Sequence, residues 1–230
     1  MNGSPDRVLA IGAHPGDVEI GAGGTLAAHQ AAGDRVTILT LSGGSVGSGA
    51  RERHAEARAA AGVVGARLIH LDFEDTRLDV AAGLIAAVEQ AIAELRPDRV
   101  YTHSVHDRHP DHRATHESVE IAARGVPNVA CFQSPSSTID FRPDRFVDVE
   151  EYLDTKLRML AAFTTQGFHD YMQADVVRAA ARYWSRFGVG RFAEPLETVR
   201  SSVGHAPALG PLGELAARHD RAFPDPPPLR

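Results

Sequence analysis

Short apolar runs and longer amphipathic stretches alternate along most of this chain. Residues 7–13, 36–41, 67–71, 99–103 and 128–133 form apolar runs of strand length. Runs of that kind, without polar alternation, suit strands buried on both faces. Between them, residues 25–32, 51–64, 80–95 and 110–124 carry helical patterns. The stretch 51–64 is Ala-rich with alternating charges and stops near Gly65, while Pro97 closes 80–95. A repeated strand–helix order predicts a mostly parallel sheet with right-handed crossovers and helices on both faces. The expected fold class is α/β, a Rossmann-like three-layer sandwich in a single domain. Beyond residue 133 the pattern loosens into a loop at 134–145, a short strand at 146–149 and helices at 150–164 and 176–187. Residues 204–230 are rich in Pro, Gly and Ala and read as an extended or disordered tail. The expected division is one domain over 1–203 and a Pro-rich tail over 204–230.

Polar chemistry collects where the strands end. The first run leads into His14 and Asp17, and ligands bind at such strand-to-helix junctions in open α/β sheets. Taken alone, that stretch reads equally as a metal-binding loop or as a turn with incidental polar residues. The second cluster changes the balance. Four histidines fall between His103 and His112, directly after the fourth run, with His116 just beyond. Two strand-end loops on one sheet edge, each carrying His and Asp, are what a mononuclear metal site requires. Neutral imidazole and carboxylate suit zinc, and three protein ligands would leave one position for water, the catalytic arrangement.

Composition narrows the function classes. The chain has 230 residues, 43% of them hydrophobic, and a mean hydropathy of -0.20, ordinary for one soluble domain. A net charge of -6 and a pI near 6.0 argue against nucleic-acid binding. No apolar run is long enough for a bilayer, the first residues do not resemble a signal peptide, and the single Cys131 excludes an internal disulfide. A cytoplasmic location is the resulting expectation, with homo-oligomerisation left open.

The paired motifs His14-Pro15-x-Asp17-x-Glu19 and His109-Pro110-Asp111-His112 resemble those of the zinc-dependent N-acetylglucosaminyl deacetylases, the LmbE-like or PIG-L-like family. The resemblance runs from about Arg7 to about Glu197 and takes in Arg53, Glu56, Asp75, Lys156 and Phe192-Ala193-Glu194. It implies that His14, Asp17 and His112 ligate Zn2+. It implies that His109 stabilises an oxyanion or protonates a leaving amine, and that Asp111 orients a histidine. Arg53 and Asp75 would hold sugar hydroxyls, although Arg53 could instead pair with Glu56 and Asp75 could cap a loop. The implied substrate is a small N-acetylated amino sugar. The Arg-, Ala- and Gly-rich composition fits a high-GC bacterium, which associates the chain with a thiol-cofactor or antibiotic pathway. His103, His106 and His116 receive no role.

One position departs from the family pattern. Gly16 stands where the family carries the aspartate that takes a proton from the nucleophilic water. General-base catalysis is worth roughly 10²–10⁴-fold. Three accounts stay open at this level. The base has moved to His109, Asp107 or Glu19; the residue was changed to trap a complex; or the chain is a zinc- and sugar-binding relative with weak or no catalysis. Gly44, where the family often has Glu, and Phe163, where a polar residue is common, suggest a modified pocket. A dinucleotide-binding oxidoreductase is the remaining rival, because Gly21-Ala22-Gly23-Gly24 follows the first strand; its spacing does not match Gly-x-Gly-x-x-Gly.

Overall fold

The computed structural model describes residues 4–44 and 49–202. The expected tail at 204–230 lies outside the described residues. Seven strands form one sheet in the order β3-β2-β1-β4-β5-β7-β6. The first five are β1 (Arg7–Gly12), β2 (Arg35–Ser42), β3 (Arg67–Phe73), β4 (Arg99–His103) and β5 (Asn128–Phe132). These pair in parallel. Beyond β5, strand β7 (Ala193–Ser201) runs antiparallel and joins β6 (Arg145–Asp148) at the edge. The mostly parallel sheet is thus as the pattern predicts, with an antiparallel addition.

Helices α1 (Asp17–Ala31), α2 (Ala50–Val63), α3 (Ile85–Leu95), α4 (Pro110–Ala122), α5 (Leu153–Ala161) and α6 (Ala174–Ser185) surround the sheet. A π-helical turn, Val80–Leu84, leads into α3, and a 3-10 turn, Asp170–Met172, precedes α6. Among the described residues there is one apolar core on each face of the sheet. Val8, Ala10, Ile38, Phe132 and Leu26 belong to one, with Met159 of α5; Leu9, Ile11, Leu39, Val88 and Val119 belong to the other. A smaller third cluster of Leu153, Leu160, Val177 and Ala181 joins α5 to α6. Alternating residues of β1 feed opposite cores, which is why that run lacks polar positions.

Two elements differ from the sequence expectation. Helix α1 begins at Asp17 rather than at residue 25. Its first turns contain Gly21, Gly23 and Gly24, poor helix formers that hide a helical start. The structure shows why they are small. A Cβ on Gly21 would lie 2.2 Å from Phe132 Cδ2, and one on Gly24 would lie 2.8 Å from Val149 Cγ1. These glycines let α1 press against β5 and against the chain leading into α5. They flank a kink at Ala22 (φ -141°, ψ 15°) between two helical pieces and are packed against Phe132, Lys156 and Val149, so they form no open phosphate-binding loop, and the oxidoreductase reading loses its motif. Strand β7 is the second difference. Its segment carries Glu194, Pro195 and Glu197, a composition that argues against a strand, yet Pro195 lies opposite edge-strand residue Phe146.

The glycines give opposite expected effects. Gly21→Ala should lower unfolding free energy by about 1–3 kcal/mol, the usual cost of overpacking. Gly62, in α2, has no neighbour within 4 Å of an added Cβ, so Gly62→Ala should raise stability by about 0.5–1 kcal/mol. Denaturant titration of the two variants checks both signs.

Candidate metal centre

Strand β1 pairs directly with β4, through Val8↔Arg99, Leu9↔Val100 and Ala10↔Tyr101. The chain crosses over in opposite directions from these two strands, so a crevice opens at their carboxyl ends. The loops after β1 and β4 therefore meet, and they carry the two motifs.

The β1 loop is short and tightly bonded. Gly16 caps α1 with φ 102°, a left-handed conformation that glycine adopts without strain. Asp17, the first residue of α1, accepts the His14 amide on Oδ2 at 2.7 Å. Three imidazole nitrogens approach that same oxygen: His14 Nδ1 at 3.2 Å, His103 Nε2 at 3.1 Å and His112 Nε2 at 3.5 Å. His14 and His112 thus both approach the Asp17 carboxylate; among the described residues the trios whose donor atoms all lie within 4.8 Å of one another are His14 with His109 and His112, Asp17 with His103 and His112, and His14 with Asp75 and Asp111.

The β4 loop holds its rings by carboxylates. His109 caps α4, its Nδ1 accepting the Asp111 amide at 3.2 Å, with Pro110 at the first helical position. His112 Nδ1 lies 3.0 Å from Asp107 Oδ2. Asp107 also accepts the His109 amide at 2.8 Å, the Ser136 hydroxyl at 2.6 Å and the Ser134 hydroxyl. His112 therefore donates its Nδ1–H to Asp107 and keeps its Nε2 lone pair on the Asp17 side, the arrangement of a metal-ligating histidine. His103 and His109 stack on its two sides, with ring centroids 3.8 and 4.5 Å away.

His14 is flanked by acids on both nitrogens. Its Nε2 lies 3.0 Å from Asp75 Oδ1 and 3.1 Å from Asp111 Oδ2. Asp111 also accepts the amides of Thr76 and Leu78, at 2.8 and 3.3 Å. A neutral imidazole can donate to only one side. Burial opposes charge on His14, but Asp17, Asp111 and Asp75 outweigh it and lift its pKa to about 11. Burial likewise opposes ionisation of Asp17, and His112, His103 and His14 hold it well below the usual carboxylate range. Burial and then His112 push His103 down to about 4, leaving it neutral. A field that favours an imidazolium here equally favours a divalent cation, and the donors are the imidazoles and carboxylates a metal takes. The cluster fits a metal ion.

A cavity of about 500 Å3 lies over these residues, within the usual size for small-ligand sites. His14, Gly16, Asp17, Arg53, Asp75, His109 and His112 line it. Arg53 does not pair with Glu56; its Nη2 donates to the Pro15 carbonyl at 3.1 Å. Glu56 instead accepts the Thr164 hydroxyl at 2.8 Å and the Thr165 amide and hydroxyl at 2.7 Å each, tying α2 to the chain after α5. Asp75 faces His14 with one oxygen. Asp111 lies beneath the pocket against His14 and does not line it.

Other residues fall differently from their sequence expectations. Gly44 does line the cavity; it has φ 61°, and a Cβ there would lie 2.9 Å from Arg53 Nη2 and Pro15 Cδ, so a side chain would require both to shift. Phe163 is buried in the core. His103, without a role in the sequence, is fully buried against Asp17 and His112. His116 bonds the His103 carbonyl through Nδ1 at 2.9 Å, and half-buried His106 stays away from the centre. Tyr171 and Met172 also line the cavity. They come from an irregular segment with no periodicity to announce them.

The GlcNAc-PI de-N-acetylase (PIG-L) family profile matches residues 9–123, half of the chain, and includes both motifs. The chain belongs to this family. It is 37% identical over 162 residues to the uncharacterized deacetylase YaiS of Escherichia coli K12, an alignment covering 66% of this chain and 88% of that one. Diacetylchitobiose deacetylase of Thermococcus kodakarensis is 29% identical over 221 residues, covering 84% and 83%. The conserved protein TT1542 of Thermus thermophilus superposes with a TM-score of 0.76 at 27% identity, covering 88% and 98%. The 4-oxalmesaconate hydratase of Pseudomonas putida is 24% identical over 196 residues, covering 72% and 76%. Its name gives a different reaction from the deacetylases.

The electrostatics of His14 can be read in solution. Without metal, its charged form contributes stability fully below about pH 6.5, and that contribution is lost as pH rises toward about 11. A cation must displace its proton at pH 7. Titration calorimetry with zinc, in buffers of different ionisation heat, should show at least about one proton released per ion and affinity rising with pH. Proton-neutral binding would contradict this.

Proposed function

We propose that the chain is a zinc-dependent N-deacetylase acting on a small molecule that contains N-acetylglucosamine, and that it is slowed by Gly16. The approach of His14 and His112 to the Asp17 carboxylate, beside a sugar-sized cavity, carries the reading. Family membership and the relatives named as deacetylases support it. His14 Nδ1, an Asp17 oxygen and His112 Nε2 would hold the ion, leaving a face open to the cavity. Zinc bound there supplies Lewis acidity toward an amide carbonyl and a water of lowered pKa.

The chain's own groups then divide the work. Burial, with His112 and His14, holds the His109 pKa below its usual value, so the ring is neutral at pH 7. Its Nδ1 accepts the Asp111 amide, so its proton is on Nε2. That N–H can donate to the oxyanion that develops on the acetyl oxygen. Of the two roles implied for His109, this geometry favours oxyanion stabilisation. Asp107 fixes His112, and Asp111 with Asp75 fixes His14. Arg53 and Asp75 would hold sugar hydroxyls, a role supported by their lining the same cavity as His14 and His109.

None of the three proposed replacement bases is well placed. Asp107 is buried with its oxygens engaged by His112, Ser134, Ser136 and the His109 amide. Glu19 is fully buried, its pKa lifted to about 7 by desolvation, and it does not line the cavity. His109 uses its Nδ1 lone pair at the helix cap. The position of Gly16 itself has room: the nearest atoms to an added Cβ are Met172 Cε and Phe163 Cε1, each 3.9 Å away.

Gly16→Asp should therefore fold, with a stability loss of about 1–2 kcal/mol from the left-handed backbone. With zinc supplied, acetate release from N-acetylglucosamine conjugates should rise by roughly 10²-fold or more. An unchanged rate in a folded variant would place the base elsewhere. Absence of acetate release from both proteins, despite zinc binding, would favour the alternative of a non-catalytic zinc- and sugar-binding relative.

A further inference from the structure

One wall of the cavity over the metal centre is built from residues 164–173, on the chain between α5 and α6. Gln166, Tyr171 and Met172 of this wall line the cavity. Met172, and Phe163 just before the wall, are the nearest groups to an added Cβ on Gly16, at 3.9 Å each. None of the residues 164–173 is buried. The wall is held together from within. Gln173 Nε2 donates to the Gly167 carbonyl at 2.6 Å. The rings of Phe168, His169 and Tyr171 follow one another, with successive centroids 4.1 and 4.9 Å apart. Its ties to the rest of the molecule are fewer. Met172 packs against two of the apolar clusters. Among the described residues, every hydrogen bond in which a side chain joins the wall to another element ends on Glu56.

Glu56 is buried, and its carboxylate takes the Thr164 hydroxyl, the Thr165 amide and the Thr165 hydroxyl. Arg53, one turn earlier on α2, donates to the Pro15 carbonyl. One helix thus holds the β1 loop with one side chain and the facing wall with another. We propose that Glu56 is a positioning residue for substrate: it clamps the wall 164–173 in the place where Gln166, Tyr171 and Met172 can meet a molecule bound over the metal centre. Glu56 does not itself line the cavity. A segment without buried residues has little local stability of its own. Hydrogen bonds to a carboxylate are stronger than those between neutral groups, so this residue sets how often the wall stands in place. Apparent affinity falls in proportion to the fraction of molecules that are competent to bind. Losing the clamp therefore weakens binding, while a molecule already bound reacts with the wall in position. The identity of the bound molecule rests on the deacetylase reading; the clamp does not.

Hydrogen exchange on the full chain tests the clamp without any turnover. In Glu56→Ala, peptides within 164–173 should exchange roughly tenfold faster than in the parent chain, while the β1 and β4 loops and the zinc affinity stay unchanged. With zinc supplied, KM for the methyl β-glycoside of N-acetylglucosamine should rise roughly tenfold, with kcat within about twofold. Glu56→Gln keeps one accepting oxygen and should fall between the two proteins. Thr164→Val combined with Thr165→Val removes both hydroxyl donors at exposed positions and leaves α2 untouched. It should move exchange and KM in the same direction, and it decides the matter if Glu56→Ala does not fold. Unchanged exchange of the wall in a folded variant would overturn the proposal. So would faster exchange with an unaltered KM, or a loss confined to kcat and zinc affinity. Faster exchange confined to the wall, in proteins that release no acetate with or without the substitution, would support the clamp while refuting the deacetylase reading.

Discussion

The pairing of β1 with β4 is the constraint on which the rest depends. These strands are far apart in sequence and adjacent in the sheet. Their adjacency makes two loops, each ending a buried strand, share one crevice. The β1 loop brings His14 and Asp17, the β4 loop brings His112, and the pairing of the two strands brings His14 and His112 together at the Asp17 carboxylate. Burial of β1 on both faces anchors the strand at the centre of the sheet, with Val8 and Ala10 in one core and Leu9 and Ile11 in the other.

Holding three imidazoles near one carboxylate is costly unless charge is compensated. The chain compensates with a ring of acids outside the cluster: Asp107 behind His112, and Asp111 and Asp75 behind His14. Backbone amides and serine hydroxyls in turn stabilise these carboxylates. The outcome is a preorganised, electron-rich pocket whose rings cannot easily rotate. Such outer carboxylates set which nitrogen of each ring carries its proton. Asp107 thereby leaves His112 Nε2 free as a donor atom toward a cation, while the Asp111 backbone amide on His109 Nδ1 leaves His109 Nε2 to donate.

Much of this was legible in the sequence, for physical reasons. Uninterrupted apolar runs marked the parallel strands, and His14, Asp17, His109 and His112 stood at their ends. The early start of α1 was hidden because Gly21 and Gly24 serve close packing against Phe132 and Val149, and tertiary contact overrides propensity there. Strand β7 was hidden by Pro195 and two glutamates, one of which is tied up by Lys156. His103 could not be assigned because its importance lies in stacking on His112, which no spacing encodes. Tyr171 and Met172 reach the site from an irregular turn. Arg53 was readable as a pocket residue, but its bond to the Pro15 carbonyl depends on how α2 meets the β1 loop.

The central claim is that one metal ion sits between the two strand-end loops. It is tested most directly by crystals grown with zinc and measured at the zinc absorption edge. The account predicts one anomalous peak per chain, with His14, Asp17 and His112 donors at about 2.0–2.2 Å from it. Absence of a peak there, or an ion held by other residues while Asp17 and His112 remain unliganded, would contradict it.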